Sequence, residues 1–418
     1  MGILGQIRSL TIPDNAQLGA RLFVTDGVNH NWVYDGLHDD PRPMGAEPQR
    51  DSLNATLSSG GSLEAGAIYT YGVRRVIKSG RLEIPGSTTT ATVQTDDTNR
   101  TVTVELQDYQ ETIPDGAHWS VHYQVLRSLA NATDTLYLVE ELDQSGYDAL
   151  SSGAYEDSSS DDSLDTSVSV PLDKIRNLRI PPVRFITSWQ GMLLAGGSAA
   201  YSEGGVSGSA GSATVTVVGP GEVTEADRRA NLWVAGEDRV FRITEVDTAN
   251  AQYTLDADLA ADHTEETEWQ RWHDHDTVFI TPPVPGDIEG YTLGEEIITQ
   301  RDAGNKLTGL AAGSAGVYAF RESSVEFITG DKNGVGVMPH PYSPPGCASH
   351  ATIASEHMPG VIYYAGHQGV WRISDSEAQK ISRPVDPIIR GHVDHTVDKY
   401  THGIYDPVSG LYFLWLFG

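Results

Sequence analysis

The chain has 418 residues, with 57 acidic and 28 basic side chains and a formal net charge of −29. Since a single hydrophobic core rarely grows beyond roughly 250 to 300 residues, this length predicts two or three modules. The negative charge argues against a general affinity for nucleic-acid phosphate or for anionic membranes. The single cysteine, Cys347, excludes an internal disulfide, and we expect it to be a small buried hydrophobe and not a nucleophile.

The basic residues are unusual in kind, because only 6 of the 28 are Lys. A surface rich in carboxylates and poor in Lys favours adaptation to high salt, where an ionic strength of about 1 M shortens the Debye length to about 3 Å. An ordinary acidic protein is the alternative. The opening residues, MGILGQIRSLTIPD, resemble no signal peptide, and no stretch approaches the roughly 18 apolar residues of a membrane span. We therefore expect synthesis and assembly in the cytoplasm.

The first half of the chain is rich in short runs of Val, Thr and Tyr that are separated by Gly, Asp and Asn, a pattern typical of strands. Residues 1–58 contain RLFVTDGVNHNWVYDG, which predicts two strands with a turn at Asp26-Gly27. In residues 59–170, runs such as IYTYGVRRVI, TVTVEL and HWSVHYQVL alternate apolar and polar positions. This alternation predicts an inserted sandwich of the immunoglobulin or fibronectin III kind.

Glycine-led apolar runs recur in the second half and begin at Gly191, Gly316, Gly360 and Gly410. Their spacings are 125, 44 and 50 residues, and periods of about 40 to 50 residues indicate β-propeller blades. Within the long spacing, residues 205–276 contain a run of tight strands that predicts a small inserted barrel, and subtracting these 72 residues leaves 53. Residues 1–58, 171–204 and 277–418 are then assigned to the propeller.

The unit from Ala348 to Ser382 has the four strands of one blade, ATIAS, GVIYYAG, GVWRIS and AQKIS. The last residues, THGIYDPVSGLYFLWLFG, predict two further strands, of which the second is apolar. Because an unpaired apolar edge promotes aggregation, we expect these strands to complete a blade begun by the N-terminal strands. Continuation of the protein beyond Gly418 is the alternative. The predicted fold class is all-β, with a β-propeller-like core interrupted by an Ig/fibronectin III-like sandwich and a small β-barrel.

The search for chemistry finds no Walker A, HExxH, CxxC or GxSxG motif. His273 and His275 share a face of a strand with Asp274 opposite them, but a solvated strand edge explains them better than a metal site. The acidic stretch Tyr155 to Asp165 has ligands for a hard cation but lacks the pattern of an EF-hand, and a solvated linker is the preferred interpretation.

The aromatic residues Trp32, Trp371 and Trp415 are expected to pack within blades, with sugar stacking as the alternative. The sequence thus predicts no catalytic, cofactor-binding or metal-binding residue, no cofactor and no enzymatic activity.

One stretch carries a resemblance to a known family. LTGLAAGSAGVYAFRESSVEFITGD, followed by PPGCASHATIASEHMPGVIYYAGHQGVWRISDSEAQKIS, resembles the propeller of tail nozzle proteins of short-tailed viruses, the tail tubular protein B and packaged-DNA-stabilisation group. The positions that match the family pattern are Ser323, Gly330, Gly346, Cys347, Gly360, Gly369 and Val370. The opening LFVTDGVNHNWVYDG is also similar to these proteins.

The resemblance implies a structural virion protein that forms a ring, commonly of six subunits, through which the genome leaves. Its partners would be copies of itself, portal or adaptor and tail-fibre proteins, and passing DNA that is bound without sequence specificity. The acidic surface suits a virus of a halophilic host. The alternative is a propeller that binds or cleaves glycans at the host surface. A cellular adhesin is a third possibility, which would need an export signal.

Overall fold

The protein is represented by a computed structural model, which describes residues 14–415 with short gaps. The gaps are residues 19–20, 26–30, 36–37, 39–40, 49–52, 110–111, 199–204, 219–222, 224–226, 229, 238, 249, 274–276, 284–287, 300–305, 332–333, 340–342, 356–359, 376, 388 and 390–400. Over the described residues the fold is all-β, as the sequence predicts. None of the helices in that part of the chain has the length and apolar character required to cross a bilayer.

The first sheet, here called blade 1, is antiparallel and its strands follow in chain order. Its strands are β1 (Asp14–Leu18), β2 (Arg21–Thr25), β3 (Trp32–Tyr34) and β4 (Arg42–Pro43). The predicted pair of strands in RLFVTDGVNHNWVYDG corresponds to β2 and β3, which pair with each other. The predicted turn between them, at Asp26-Gly27, lies outside the described residues.

The next module is a two-layer sandwich. Its strands are β5 (Ala55–Ser58), β6 (Ile68–Ser79), β7 (Leu82–Pro85), β8 (Thr89–Gln94), β9 (Thr101–Glu105), β10 (Trp119–Arg127), β11 (Thr135–Leu142), β12 (Ala154–Asp157) and β13 (Asp165–Pro171), with helix α1 (Gln144–Asp148) and 3-10 turns Ser151–Gly153 and Asp161–Ser163. One sheet runs β13-β11-β10-β6, with β7 and β8 both along the outer edge of β6, and the other runs β12-β9-β5. Alternate residues of β10, namely Trp119, Val121, Tyr123 and Val125, enter the shared core, because successive side chains of a strand face opposite sides.

The chain then begins a second blade and leaves it again. Strand β14 (Leu178–Arg179) is followed by β15 (Val183–Trp189) and β16 (Met192–Ser198), which pair with each other. Every described residue of β16 is buried. A strand that is buried on both faces has apolar residues at consecutive positions, which explains the apolar run GMLLAG in the sequence.

A small closed barrel is inserted after β16. Its strands are β17 (Gly205–Gly208), β18 (Thr214–Val218), β19 (Asn231–Val234), β20 (Val240–Asp247), β21 (Gln252–Leu255), β22 (His263–Thr267) and β23 (Trp269–Trp272). β22 pairs with β17 at one end of the sheet, β23 pairs with β19 at the other end, and only Glu268 separates β22 from β23. One nearly continuous strand therefore joins both ends of the sheet, and closure removes its free edges.

After the barrel the chain returns beside the strand that it left. β24 (Thr277–Ile280) pairs with β16, β25 (Gly290–Tyr291) pairs with β14, and β26 (Ile297–Ile298) pairs with β24. The strand order β15-β16-β24-β26 completes blade 2. The barrel is thus an insertion between two neighbouring strands of one blade.

Two further four-stranded sheets and a hairpin follow. Blade 3 contains β27 (Leu307–Ala312), β28 (Val317–Arg321), β29 (Val325–Asp331) and β30 (Gly334–Pro339). Blade 4 contains β31 (Ala354–Ser355), β32 (Val361–Gly366), β33 (Gly369–Ser374) and β34 (Glu377–Lys380), with 3-10 turns at His350–Thr352 and Arg383–Val385. The terminal hairpin contains β35 (His402–Asp406) and β36 (Leu411–Trp415).

These sheets share cores with their neighbours in series, which makes the arrangement propeller-like. Blades 1 and 2 share a core that contains Phe23 and Leu193. Blades 2 and 3 share one that contains Leu194 and Val317. Blades 3 and 4 share one that contains Phe320, Tyr364 and Ile373, together with Cys347, which is fully buried as predicted.

The Gly-Cys pair of the family-like stretch connects blade 3 to blade 4. The backbone N–H of Cys347 donates to the carbonyl of Arg321 at 2.8 Å. A Cβ at Gly346 would lie 2.1 Å from that same carbonyl oxygen. Only glycine permits this close approach of two backbones, so the pair has a structural role in this chain.

Candidate functional site

The terminal hairpin has one packed face and one exposed face. On the packed face, the rings of Tyr405 and Tyr412 stack against Tyr363 of blade 4 at 5.4 and 5.5 Å. The Tyr412 hydroxyl donates to the Thr352 carbonyl at 2.6 Å, and burial raises the pKa of Tyr412 above its ordinary value. A Cβ at Gly403 would lie 2.2 Å from that hydroxyl oxygen. These contacts fix the hairpin as the next layer after blade 4.

The opposite face of the hairpin exposes large apolar side chains. Ile404 and Leu411 are each 54% exposed, Phe413 is 42% exposed and Trp415 is 49% exposed. Ile404 lies directly across from Phe413, and residues 411, 413 and 415 share a face because strand side chains alternate. We call these four residues the apolar face. An exposed group of this kind on a soluble protein typically marks an interaction surface.

The described residues do not form the predicted blade in which the terminal hairpin pairs with N-terminal strands. The N-terminal strands complete the four-stranded blade 1 by themselves, and β35 and β36 form a sheet of two strands. Within the described residues, no pairing joins the hairpin to an N-terminal strand. Strands β1 to β4 instead pair in chain order and form a four-stranded sheet without the hairpin.

The three tryptophans predicted to pack within blades have different environments. Trp371 is half-buried and packs beside the core shared by blades 3 and 4, and Trp32 is also half-buried. Trp415 is on the apolar face, so the prediction of packing within this chain is wrong for Trp415. Strand alternation reveals which side chains share a face, but it does not reveal which face a neighbouring layer covers.

The histidine-rich segment also differs from its interpretation. His273 is 7% exposed, and its ring packs edge-on against Phe279 with centroids 5.2 Å apart. His273 is therefore not part of a solvated strand edge, because a core aromatic ring of blade 2 covers it. Asp274 and His275 lie outside the described residues.

The acidic stretch Tyr155 to Asp165 is part of the sandwich and not a linker. Its first residues form β12, which pairs with β9. Asp157 is fully buried, and one of its oxygens accepts from Arg127 at 2.5 Å and from the Tyr71 hydroxyl at 2.7 Å. Asp161 accepts from the same guanidinium at 3.0 Å. Carboxylates in this stretch are thus neutralised by a buried cation.

A polar clasp also joins blades 3 and 4. Both the Tyr318 hydroxyl and the Ser314 hydroxyl donate to Asp375, the former at 2.6 Å. Burial and the neighbouring Asp375 carboxylate raise the pKa of Tyr318 well above its ordinary value. Tyr318 is therefore a neutral donor over the physiological range, and the clasp holds the blades in register.

A second clasp joins blade 1 to the segment before β25. The buried carboxylate of Glu289 accepts from Arg42 at 2.5 and 2.6 Å and from Arg21 at 3.0 Å. The Gly45 N–H also donates to it, at 3.2 Å. Two guanidinium groups and a backbone donor together compensate for the burial of one carboxylate.

A groove of about 620 Å³ lies between the sandwich, residues 171–177 and the barrel. Its lining combines hydroxyl and basic groups with aliphatic residues, and no aromatic ring lines it in the described part of the chain: Pro48, Arg74, Pro85, Ser87, Thr88, Thr89, Thr90, Ser169, Val170, Pro171, Leu172, Lys174, Ile175, Arg176, Asn177 and Thr248. Two of its cations pair with acids, Lys174 with Glu295 and Arg176 with Asp173. Sugar sites commonly use an aromatic stacking platform, and this groove offers none.

Comparison with known proteins identifies no family. No family model matches the chain, and no curated protein matches it. Among solved structures, the apo form of AztD from Citrobacter koseri is similar over 84% of this chain and 77% of its own length, with 10% sequence identity and a TM-score of 0.22. A likeness of this strength supports no inference about function.

Proposed function

We propose that this protein is a structural component of a viral tail, and that copies of it assemble into a ring around the path of the genome. The observation that carries the proposal is the apolar face of the terminal hairpin. Elsewhere in the molecule, each blade covers the corresponding face of the neighbouring blade. A blade of a second copy of the chain is therefore the partner that best fits the apolar face. The resemblance of residues 307–382 to tail nozzle proteins supports the placement in a tail.

The charge of the chain supports a conduit. A protein that lines a channel for DNA must not hold phosphate, and basic side chains would create affinity through counterion release. With a net charge of −29 per chain, repulsion between copies opposes assembly in dilute buffer. Concentrated salt screens this repulsion over about 3 Å, so the ring would close in the cytoplasm of a halophilic host.

The first experiment measures assembly against salt. We expect light scattering to detect an oligomer in about 2 M salt that dissociates in dilute buffer, and electron microscopy to image it as a ring. The double variant F413S/W415S should remain monomeric in the same salt, since it removes two of the exposed rings. V240S is the matched control, because Val240 is 45% exposed on the barrel, away from the hairpin.

Two outcomes would count against the proposal. A wild-type monomer at every salt concentration removes the ring. An oligomer that F413S/W415S leaves intact removes the apolar face as its interface. The position in a tail has its own test, because portal, adaptor and tail-fibre genes should neighbour the gene for this protein in a viral genome.

A further inference from the structure

Blade 1 and the sandwich meet at a group of three side chains that have the composition of a metal site. Asp35 follows β3 of blade 1 directly and His38 lies three residues later, while His118 immediately precedes β10 of the sandwich. Their ligand atoms all lie within 4.8 Å of one another. The described residues contain no other cluster of three such ligands.

The two imidazole rings are arranged around one carboxylate oxygen. The Nδ1 of His38 is 2.8 Å from Asp35 Oδ2, and the Nε2 of His118 is 3.5 Å from the same oxygen. The rings stack with their centroids 3.8 Å apart and their planes 1° from parallel. The other oxygen of Asp35 accepts from the His38 backbone N–H at 3.2 Å, which orients the carboxylate.

The two separations that involve Asp35 are close to those of a tetrahedral site. A Zn²⁺ ion binds imidazole nitrogen and carboxylate oxygen at about 2.0 to 2.2 Å, so neighbouring ligands of a tetrahedron lie about 3.3 Å apart. The separations of 2.8 and 3.5 Å bracket that value. Imidazole binds a metal in the plane of its ring, so the parallel His38 and His118 rings cannot face one ion until the His38 ring turns. The side chain of His38 is 45% exposed and has room for this rotation.

Burial differs across the three ligands in a way that suits a metal site. The side chain of His118 is 10% exposed and that of Asp35 is 23% exposed, so two ligands are held by the packed modules. The third ligand, His38, faces solvent and leaves a route for entry of the ion. Three protein ligands leave a fourth position for water.

We propose that Asp35, His38 and His118 bind one divalent transition-metal ion, with Zn²⁺ preferred, and that this ion cross-links blade 1 to the sandwich. The site is independent of the proposed ring. It would add a second attachment to the one at Arg75, whose guanidinium lies 3.5 Å from Glu47 and donates to the Pro48 carbonyl at 2.6 Å. With both attachments in place, the sandwich would be held in one orientation against the core.

The test uses the full chain without a histidine tag, after treatment with a chelator. Calorimetric titration with Zn²⁺ should give one ion per chain, and Co²⁺ should give the intense visible absorption of a tetrahedral site. H118Q and H38Q should each weaken Zn²⁺ binding more than loss of an outer-shell partner, which typically weakens it about 10-fold to 100-fold. H122Q is the matched control, because His122 is on β10, the strand that His118 precedes, but pairs with Glu141 at 3.2 Å.

A second measurement separates the metal site from a merely structural role of the histidines. Zn²⁺ should slow hydrogen exchange at residues 31–35 and 117–121 of the wild type and leave exchange in H38Q unchanged. H38Q is suited to this comparison because an exposed side chain is not needed for folding. Absence of Zn²⁺ binding by the wild type overturns the proposal, and so does equal binding by the wild type and H38Q.

Discussion

The sandwich and the barrel share neither strand order nor size, yet each contains the same three interacting groups, an aspartate, an arginine and a tyrosine. In the sandwich, Asp157 accepts from Tyr71 and Arg127 through a single oxygen at 2.7 and 2.5 Å. In the barrel, one oxygen of Asp227 accepts from the Tyr253 hydroxyl at 2.9 Å and from Arg271 at 2.5 Å. Both modules were inserted into a propeller-like core, and both hold an ion pair inside a small β-structure.

The two triads differ in their access to water. The side chains of Arg127 and Asp157 are both fully buried, whereas those of Arg271 and Asp227 are 13% and 7% exposed. A buried charge that loses its partner has no other source of compensation, while a charge near the surface is rehydrated. The same group of three side chains therefore contributes more to stability in the sandwich than in the barrel.

Removing the sandwich carboxylate should have the largest effect. D157N leaves the Arg127 cation buried with only Asp161 as an acidic partner, and loss of one partner of a buried pair typically destabilises by about 3–5 kcal/mol. Hydrogen exchange followed by mass spectrometry should therefore show faster exchange throughout β6, β10 and β12. D162N is the control, because Asp162 is exposed in the same acidic stretch.

One result for D157N would contradict this prediction. If exchange rates in the sandwich match those of D162N, the guanidinium of Arg127 is solvated and the buried-charge argument fails. An increase confined to the barrel would show that the two modules are not independent.

The corresponding barrel variant should have a smaller effect. D227N removes the charge partner of Arg271, but water reaches that guanidinium, and a hydrogen bond to a charged group typically contributes about 1.5–3 kcal/mol. Urea unfolding monitored by the fluorescence of Trp269 and its neighbours should report a loss in this range. D258N is the exposed control within the barrel. If urea unfolding of both variants gives a loss of unfolding free energy for D227N that equals or exceeds that for D157N, the difference in burial is not the explanation.

The triads also show where sequence reasoning stops. Alternating strands and glycine-led runs predict the sandwich, the barrel and the blades. Burial alternates from one residue of a strand to the next, so its pattern is visible in residues that are close together in the sequence. Asp157 lies among so many acids and hydroxyls that its stretch is typical of a solvated linker. Its true environment depends on Arg127, which is 30 residues earlier and pairs with it only after the two sheets pack together.

The terminal hairpin shows that the sequence predicts strands but not which strands pair with them. The pattern of residues 401–415 predicts two strands correctly, and the packing of Tyr405 and Tyr412 onto blade 4 uses alternate positions of those strands. The expectation that N-terminal strands would complete this sheet came from a rule about exposed edges. Blade 1 instead takes all four of its strands from one short stretch of the chain, since pairing between strands that are close in sequence needs little loop closure.

The smallest expected effect is a pH dependence of stability that tests the burial of Tyr123 in the sandwich core. Burial raises the pKa of Tyr123 to about 12, whereas an unfolded tyrosine titrates near 10. Below pH 10 both states hold the proton and the shift has no effect. Between pH 10 and 12 only the unfolded chain releases it, so stability falls by about 1.4 kcal/mol per pH unit for this group. Y123F removes this titration. The difference in the free energy of unfolding between wild type and Y123F should therefore shrink between pH 9 and pH 11 in urea unfolding. An unchanged difference between wild type and Y123F over this range would contradict the burial of a neutral Tyr123 hydroxyl.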